Sequence, residues 1–213
     1  MSALLSAEQA NNHIVSFGLL DAAGRAAYPL PTDWERRRTE LAPITGFHVE
    51  SAKGANVTVA VDHQPGIDPF VGLHFAHEHQ SWTARKEGGG WLVDPDAKVV
   101  PVVPADAGAA TTALAWGRAV QSCDAAAATR LQAIPTLLGT SGGPQSLCHA
   151  TGTLVAGVPA PPAQGPQTAD LIAQYTVDVL AYVRQVHLGG IAVPFDTYLV
   201  PIGDAWQMVA VSG

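Results

Sequence analysis

Hydrophobic residues recur every three or four positions in one long stretch of the second half of the chain. This spacing predicts a helix over about residues 111–134 that ends before Pro135. Cys123 lies on the apolar stripe, so we expect it to be a buried core residue. The stripe consists of Ala113, Trp116, Val120, Cys123, Ala127, Leu131 and Ile134.

A second helical pattern follows a proline-rich stretch. Thr168 can cap a helix over about residues 169–188, Asp170 suits the positive end of its dipole, and Gly189-Gly190 can terminate it. The stretch before it, residues 159–166, holds four prolines in eight residues and predicts a rigid connector or an exposed arm.

Elsewhere the hydrophobic period is two, which is typical of strands. Residues 44–50 and 56–62 predict a hairpin, because three valines alternate with other residues after a short glycine-containing turn. Residues 191–200 and 205–211 predict two further strands, and Pro101 confines residues 98–103 to a sheet edge or a bulge.

We therefore expect an α+β fold in which antiparallel hairpins pack with two main helices, near residues 111–134 and 169–188. At 213 residues the chain fits a single domain over residues 1–213. The N-terminal segment 1–43 and the proline-rich arm 159–166 are possible inter-subunit elements.

Composition narrows the function classes. The net charge of −7 gives no basic footprint for nucleic acid, and acidic residues flank the single basic cluster, Arg36-Arg37-Arg38. Charged residues make up 14% of the chain, well below the roughly 25% of ordinary soluble domains. We expect no membrane span, no signal peptide and cytoplasmic synthesis. A surface so poor in charge is typical of a subunit that contacts other copies, or of a chain rich in alanine, glycine, proline and valine.

Reactive side chains concentrate in residues 72–82. If this stretch is one extended strand, His77 and His79 share a face, whereas His74 and Glu78 lie on the other. Two histidines spaced in this way could hold a metal, provided that further ligands came from elsewhere. The alternative is a strand whose imidazoles form local hydrogen bonds or line an interface.

A glycine-rich segment offers a possible nucleophile. Residues 139–144, Gly-Thr-Ser-Gly-Gly-Pro, followed by Gly-Thr-Leu-Val-Ala-Gly at residues 152–157, resemble the nucleophile loop of chymotrypsin-like serine proteases. The resemblance covers about twenty residues and implies Ser141 as nucleophile beside an oxyanion hole. The alternative is a glycine- and proline-rich loop between a helix and a strand.

Two cysteines, Cys123 and Cys148, permit one disulfide, but an intracellular product with reduced thiols is the expectation. Cys148 is followed by His149, yet neighbours in a strand point to opposite faces, so Cys148 is expected to be a buried small hydrophobe. We expect no cofactor and no bound metal.

These observations favour a non-enzymatic structural subunit of a large symmetric assembly, such as a capsid, tail or connector component of a phage or virus particle. Its partners would be further copies of itself and other assembly subunits. Two alternatives stay open: a serine hydrolase with Ser141 as nucleophile, and a protein that binds metal through His77 and His79.

Overall fold

The computed structural model describes residues 1–68, 72–138 and 147–212 of the chain. The chain forms two compact units. Unit one comprises residues 1–65 and 74–102, and unit two comprises residues 66–73 and 103–213. Helices and antiparallel sheets occur in both units, so the predicted α+β class is confirmed.

The helices, in chain order, are α1 (Ser2–Gln9), α2 (His13–Gly18), α3 (Ala22–Ala27), α4 (Pro31–Thr39), α5 (Ala107–Gln121), α6 (Ala125–Thr129) and α7 (Pro166–Tyr175). A 3₁₀ helix follows α7 at Val177–Ala181. The strands are β1 (Ile44–Lys53), β2 (Asn56–His63), β3 (Gly66–Asp68), β4 (Gly72–His74), β5 (His77–Glu87), β6 (Gly90–Val93), β7 (Lys98–Pro101), β8 (Gly152–Ala156), β9 (Arg184–Ile191), β10 (Phe195–Ile202) and β11 (Ala205–Ser212).

Unit one contains α1 to α4 followed by an antiparallel sheet with the order β1, β2, β5, β6, in which β7 also pairs with β5. Short polar caps start two of the helices: Asn12 accepts a hydrogen bond from the Val15 amide, and Asp21 accepts one from the Gly24 amide. The predicted hairpin at residues 44–62 is confirmed, since β1 and β2 pair from Ile44–His63 to Lys53–Asn56.

Alternation along the strands gives this sheet one buried and one solvent-facing side. The valines of β2 and Trp82 of β5 pack against leucines of the helical segment and against Trp34. Burial of these side chains drives the helices onto this side of the sheet. The opposite side carries polar residues. The core residues are Leu4, Leu5, Leu20, Trp34, Ile44, Val57, Val59, Val61, Trp82 and Val93.

In unit two, α5 and α6 precede β8, and α7 precedes the three consecutive strands β9 to β11. Its principal sheet has the antiparallel order β11, β10, β9, β8. Helix α5 lies against this sheet through the fully buried Trp116, and Gly117 allows the close approach: a Cβ there would lie 3.0 Å from Leu188 and 3.1 Å from Leu154. A second cluster around Leu171 of α7 also includes Ile67 and Leu73.

The first predicted long helix is wrong in its middle. Helix α5 ends at Gln121 and α6 begins at Ala125, so Cys123 lies in the intervening turn with φ +62° and is exposed. Asp124 causes the restart, because its side chain accepts a hydrogen bond from the Ala127 amide. The apolar stripe continues across the break because α6 buries Ala128.

The second predicted helix is wrong in its C-terminal half. Helix α7 ends at Tyr175, before Thr176 with φ +70°, and residues from Arg184 onward form β9. Gly189 and Gly190 therefore lie in a strand and do not terminate a helix. Residues 184–188 form a strand because they pair with β10, with Leu188 opposite Phe195 and Arg184 opposite Leu199.

The histidine-rich stretch is interrupted. Strand β4 ends at His74 and pairs with β3, whereas β5 begins at His77. The predicted continuous strand across residues 72–82 is therefore wrong at Phe75 and Ala76. Within β5 the predicted alternation is confirmed, because Gln80 and Trp82 are buried and His79 and Ser81 are exposed.

Candidate functional site

Histidines and carboxylates occupy the solvent-facing side of the sheet in unit one. Strand register places His77 opposite Asp62, and His79 opposite Ala60, which in turn lies opposite His48. We name a set of histidines and carboxylates on this side of the sheet the histidine face. They are His48, Glu50, Asp62, His77 and His79.

Two imidazoles of this face bind carboxylates. His77 Nδ1 lies 2.7 Å from Asp62 Oδ1, and His79 Nδ1 lies 3.1 Å from a Glu50 oxygen. His77 and His79 share a face as expected, but each is engaged with an acid on a neighbouring strand. Among the described residues, the grouping with metal-ligand spacing lies elsewhere, at Cys123, Cys148 and His149.

The buried side of the same strands carries a second polar row. Glu78 lies between two partners: His63 Nε2 is 3.3 Å from its Oε2 atom, and Gln80 Nε2 donates to that oxygen at 3.1 Å. Gln80 in turn accepts a hydrogen bond of 3.0 Å from Trp82 Nε1. His63 Nδ1 lies 3.0 Å from the Ala42 carbonyl oxygen, which fixes the ring.

These contacts shift two pKa values in opposite directions. Burial alone would lower the pKa of His63, but the hydrogen bond and negative charge of Glu78, with two backbone carbonyls, raise it above 6.5. Burial alone would raise the pKa of Glu78, but hydrogen bonds from His63 and Gln80 and the nearby positive charges lower it below 4.5. The two groups therefore form an ion pair in mildly acidic solution.

Unit two contains a disulfide between Cys123 and Cys148, which are 25 residues apart in sequence. The expectations of reduced thiols and of a buried Cys123 are therefore wrong. Cys148 is half-buried, and its sulfur is covalently bound.

His149 contacts the disulfide at its exposed end. Its Nε2 atom lies 3.3 Å from Cys123 Sγ, so the imidazole contacts Cys123, which is 26 residues earlier in the chain. The His149 backbone has φ +65°, and its amide donates to the Gln121 carbonyl at 2.9 Å. Gln121 Nε2 also donates to Ala150 O at 2.6 Å and to Gly152 O at 2.9 Å, which ties residues 149–152 to the end of α5.

A pocket of about 480 Å³ opens beside the disulfide, and both cysteines form part of its wall. Most of the lining is apolar, and two polar side chains reach it. The lining residues other than the cysteines are Val120, Ala125, Ala128, Thr129, Gln132 and Pro135. This volume suits a small ligand or one large side chain of a partner.

Comparison with protein-family models, with curated proteins and with solved structures gives no match. Among the described residues, no helix combines the length and apolar character that crossing a membrane requires.

Ser141, the predicted nucleophile, lies outside the described residues, and so does the Gly-Thr-Ser-Gly-Gly-Pro loop around it. Sequence reasoning missed the Cys123–Cys148–His149 cluster. The available signal was the pair of cysteines itself, but the expected helix through Cys123 placed that residue in the core.

Proposed function

We propose that this protein is a non-enzymatic structural subunit of a large homo-oligomeric assembly, specifically a capsid, tail or connector component of a phage or virus particle. The observation that carries the proposal is the composition of the solvent-facing side of the sheet in unit one. Val100 and Val102 retain 49% and 44% of their surface there, beside the histidine face.

Strand register brings the valines and histidines together. Val100 lies opposite His79 across the β5–β7 pair, and the Val102 amide donates to the His77 carbonyl at 2.8 Å. The helices of unit one pack on the other side of the sheet. An exposed apolar strip bordered by imidazole–carboxylate pairs is typical of a protein–protein contact.

The partner we propose for this surface is a second copy of the chain. The histidine face contains both imidazoles and carboxylates, so two such faces related by a twofold axis can pair acid with base. Lengthening the sheet by strand addition is disfavoured. Backbone N–H groups point alternately to the two sides of a strand. The Val102 amide points at β5, so the backbone of the preceding Pro101 faces the free edge of the sheet, where proline has no N–H to donate to a further strand.

The disulfide supports the same proposal. Particle components work outside the cell, where disulfides persist, and the Cys123–Cys148 bond would withstand those conditions.

Size-exclusion chromatography with light scattering tests the proposal at micromolar concentration. We expect the wild-type chain to be multimeric and the double variant Val100→Lys/Val102→Lys to be monomeric, since two buried ammonium groups would oppose association. Val193→Lys is the matched control, because Val193 is 64% exposed but lies in unit two; it should stay multimeric. A wild-type monomer, or a double variant as multimeric as the control, would contradict the proposal.

A further inference from the structure

The disulfide of unit two has features that a purely structural crosslink does not need. One of its cysteines, Cys123, is an exposed residue, and an imidazole nitrogen lies 3.3 Å from its Sγ atom. Cysteine reactivity depends on accessibility and on neighbours that stabilise the thiolate, and histidine is such a neighbour. Cys148 is less exposed than Cys123.

The backbone holds these groups in uncommon conformations. Cys123 and His149 both have positive φ, at +62° and +65°. Positive φ is unfavourable for residues other than glycine and is concentrated at functional sites. The hydrogen bonds of Gln121 described above hold the backbone of His149 and of the residues after it at the end of α5, independently of the disulfide.

The apolar pocket gives an incoming thiol a place to bind. Its wall includes both cysteines together with Val120, Ala128 and Pro135, so a group bound there lies beside the disulfide. A volume of about 480 Å³ accommodates the hydrophobic side chain that flanks a cysteine in a peptide, or a small aliphatic dithiol.

We propose that Cys123 and Cys148 form a redox-active dithiol–disulfide couple that exchanges with substrate dithiols, with Cys123 as the exchanging sulfur and His149 as its proton donor and acceptor. A substrate thiolate attacks Cys123 Sγ, the Cys123–Cys148 bond breaks, and Cys148 leaves as a thiolate that takes a proton from solvent.

The second substrate thiolate then attacks the substrate sulfur of the mixed disulfide. Cys123 leaves as a thiolate, and the His149 imidazolium donates a hydrogen bond or its proton to it. The substrate loses two electrons and two protons and becomes a disulfide, and the protein gains them as two thiols. In the reverse direction the Cys123 thiolate beside His149 is the nucleophile.

Alkylation of the full-length reduced protein tests this proposal. The disulfide is reduced with dithiothreitol, the protein is exposed briefly to iodoacetamide across a pH series, and mass spectrometry quantifies each modified cysteine. We expect Cys123 to react first, with a pH midpoint below that of Cys148. His149→Gln should slow Cys123 alkylation at neutral pH about tenfold, the effect of one pKa unit on the thiolate fraction.

His187→Gln is the matched control. His187 is an exposed histidine of the same unit, 2.9 Å from Asp196, and its replacement should leave the Cys123 rate unchanged. In a second measurement, the oxidised protein should convert one equivalent of a two-cysteine peptide to its disulfide, and Cys123→Ser should abolish the conversion.

Three results would overturn the proposal. Equal alkylation rates for both cysteines would show that Cys123 is not an activated thiol and hence that the disulfide is a structural crosslink. An unchanged Cys123 rate in His149→Gln would remove the role of His149, and failure to oxidise the peptide would remove the exchange activity. The wild-type pH profile decides the proposal even if His149→Gln does not fold.

Discussion

The buried pair of His63 and Glu78 should make the stability of unit one depend on pH. The perturbation is Glu78→Gln, which keeps the size of the side chain and removes its charge. His63 and Glu78 retain 7% and 17% of their side-chain surface, so their charges are weakly screened.

The pH range follows from the direction of each shift. His63 has a raised pKa in the folded state, so its contribution is complete below 6.5 and is lost as pH rises through the folded value. Glu78 has a lowered pKa, so its contribution is complete above 4.5 and is lost as pH falls through the folded value. The pair therefore stabilises most between about pH 4.5 and 6.5.

Within that range, Glu78→Gln leaves a buried charged imidazole without its partner, which costs about 3 kcal/mol, the low end for a broken buried pair. Once the pH exceeds the raised folded-state pKa of His63, the ring is neutral, and the cost falls to that of an altered hydrogen bond, about 1 kcal/mol. The difference of about 2 kcal/mol corresponds to roughly 4–8 °C in melting temperature for a chain of this size.

Thermal unfolding of both proteins at pH 5.5 and pH 8 measures this difference. Glu50→Gln is the matched control, because Glu50 also pairs with a histidine of β5 but half of the His79 side chain is exposed, 51% by surface. Its cost should stay below about 1 kcal/mol at both pH values. If Glu78→Gln and wild type differ by the same amount at both pH values, the reasoning about the pair is refuted.

Further variants probe other parts of the fold. Cys148→Ser opens a 25-residue loop and should lower the free energy of unfolding by about 3.5 kcal/mol, measured in urea. Gly190→Ala places a Cβ 2.0 Å from a carbonyl oxygen of β8 at φ +83° and should cost more than about 3 kcal/mol, whereas Gly54→Ala, at φ +60° in open space, should cost about 1 kcal/mol. Trp34→Phe removes the indole N–H, which donates to Ser16 Oγ at 2.8 Å and to the buried Glu8 at 3.1 Å, and should cost about 1–3 kcal/mol by calorimetry; an unchanged melting temperature would show that these two bonds are dispensable.

The parts of the fold that sequence predicts best are those set by local pattern. Val57, Val59 and Val61 alternate next to a tight turn, and both the hairpin and its buried side follow from that alternation alone. Pro101 marks a sheet edge in the same way, because a missing N–H is incompatible with a central strand.

Prediction fails where one set of residues satisfies two periods. The three-residue spacing of Val183 and Val186 fits a helix, whereas the two-residue spacing of Val186 and Leu188 fits a strand. Pairing with β10, a partner later in the chain, selects the strand. Local propensity contains no information about that partner, so tertiary contact overrides it.

The disulfide site was obscured for a related reason. The apolar stripe continues from α5 into α6, so periodicity alone does not reveal the turn at Cys123. The capping residue Asp124 was the one local signal of the restart. The contact between His149 and Cys123 depends on the hydrogen bonds of Gln121. One of them joins the Gln121 carbonyl to the His149 amide, 28 residues later in the chain, and residue spacing does not predict it.

The division of the chain into its two units has a consequence for how the protein is made and how it comes apart. Residues 66–73 belong to unit two but are flanked on both sides by unit one, and Ile67 and Leu73 pack against the core cluster around Leu171. During synthesis, residues 66–73 of unit two are therefore made before unit one is complete, and they can pack only after the rest of unit two, from residue 103 onward, has been made. A single cut after Val102 would leave unit two without those two side chains, so the units cannot be separated intact by one cleavage.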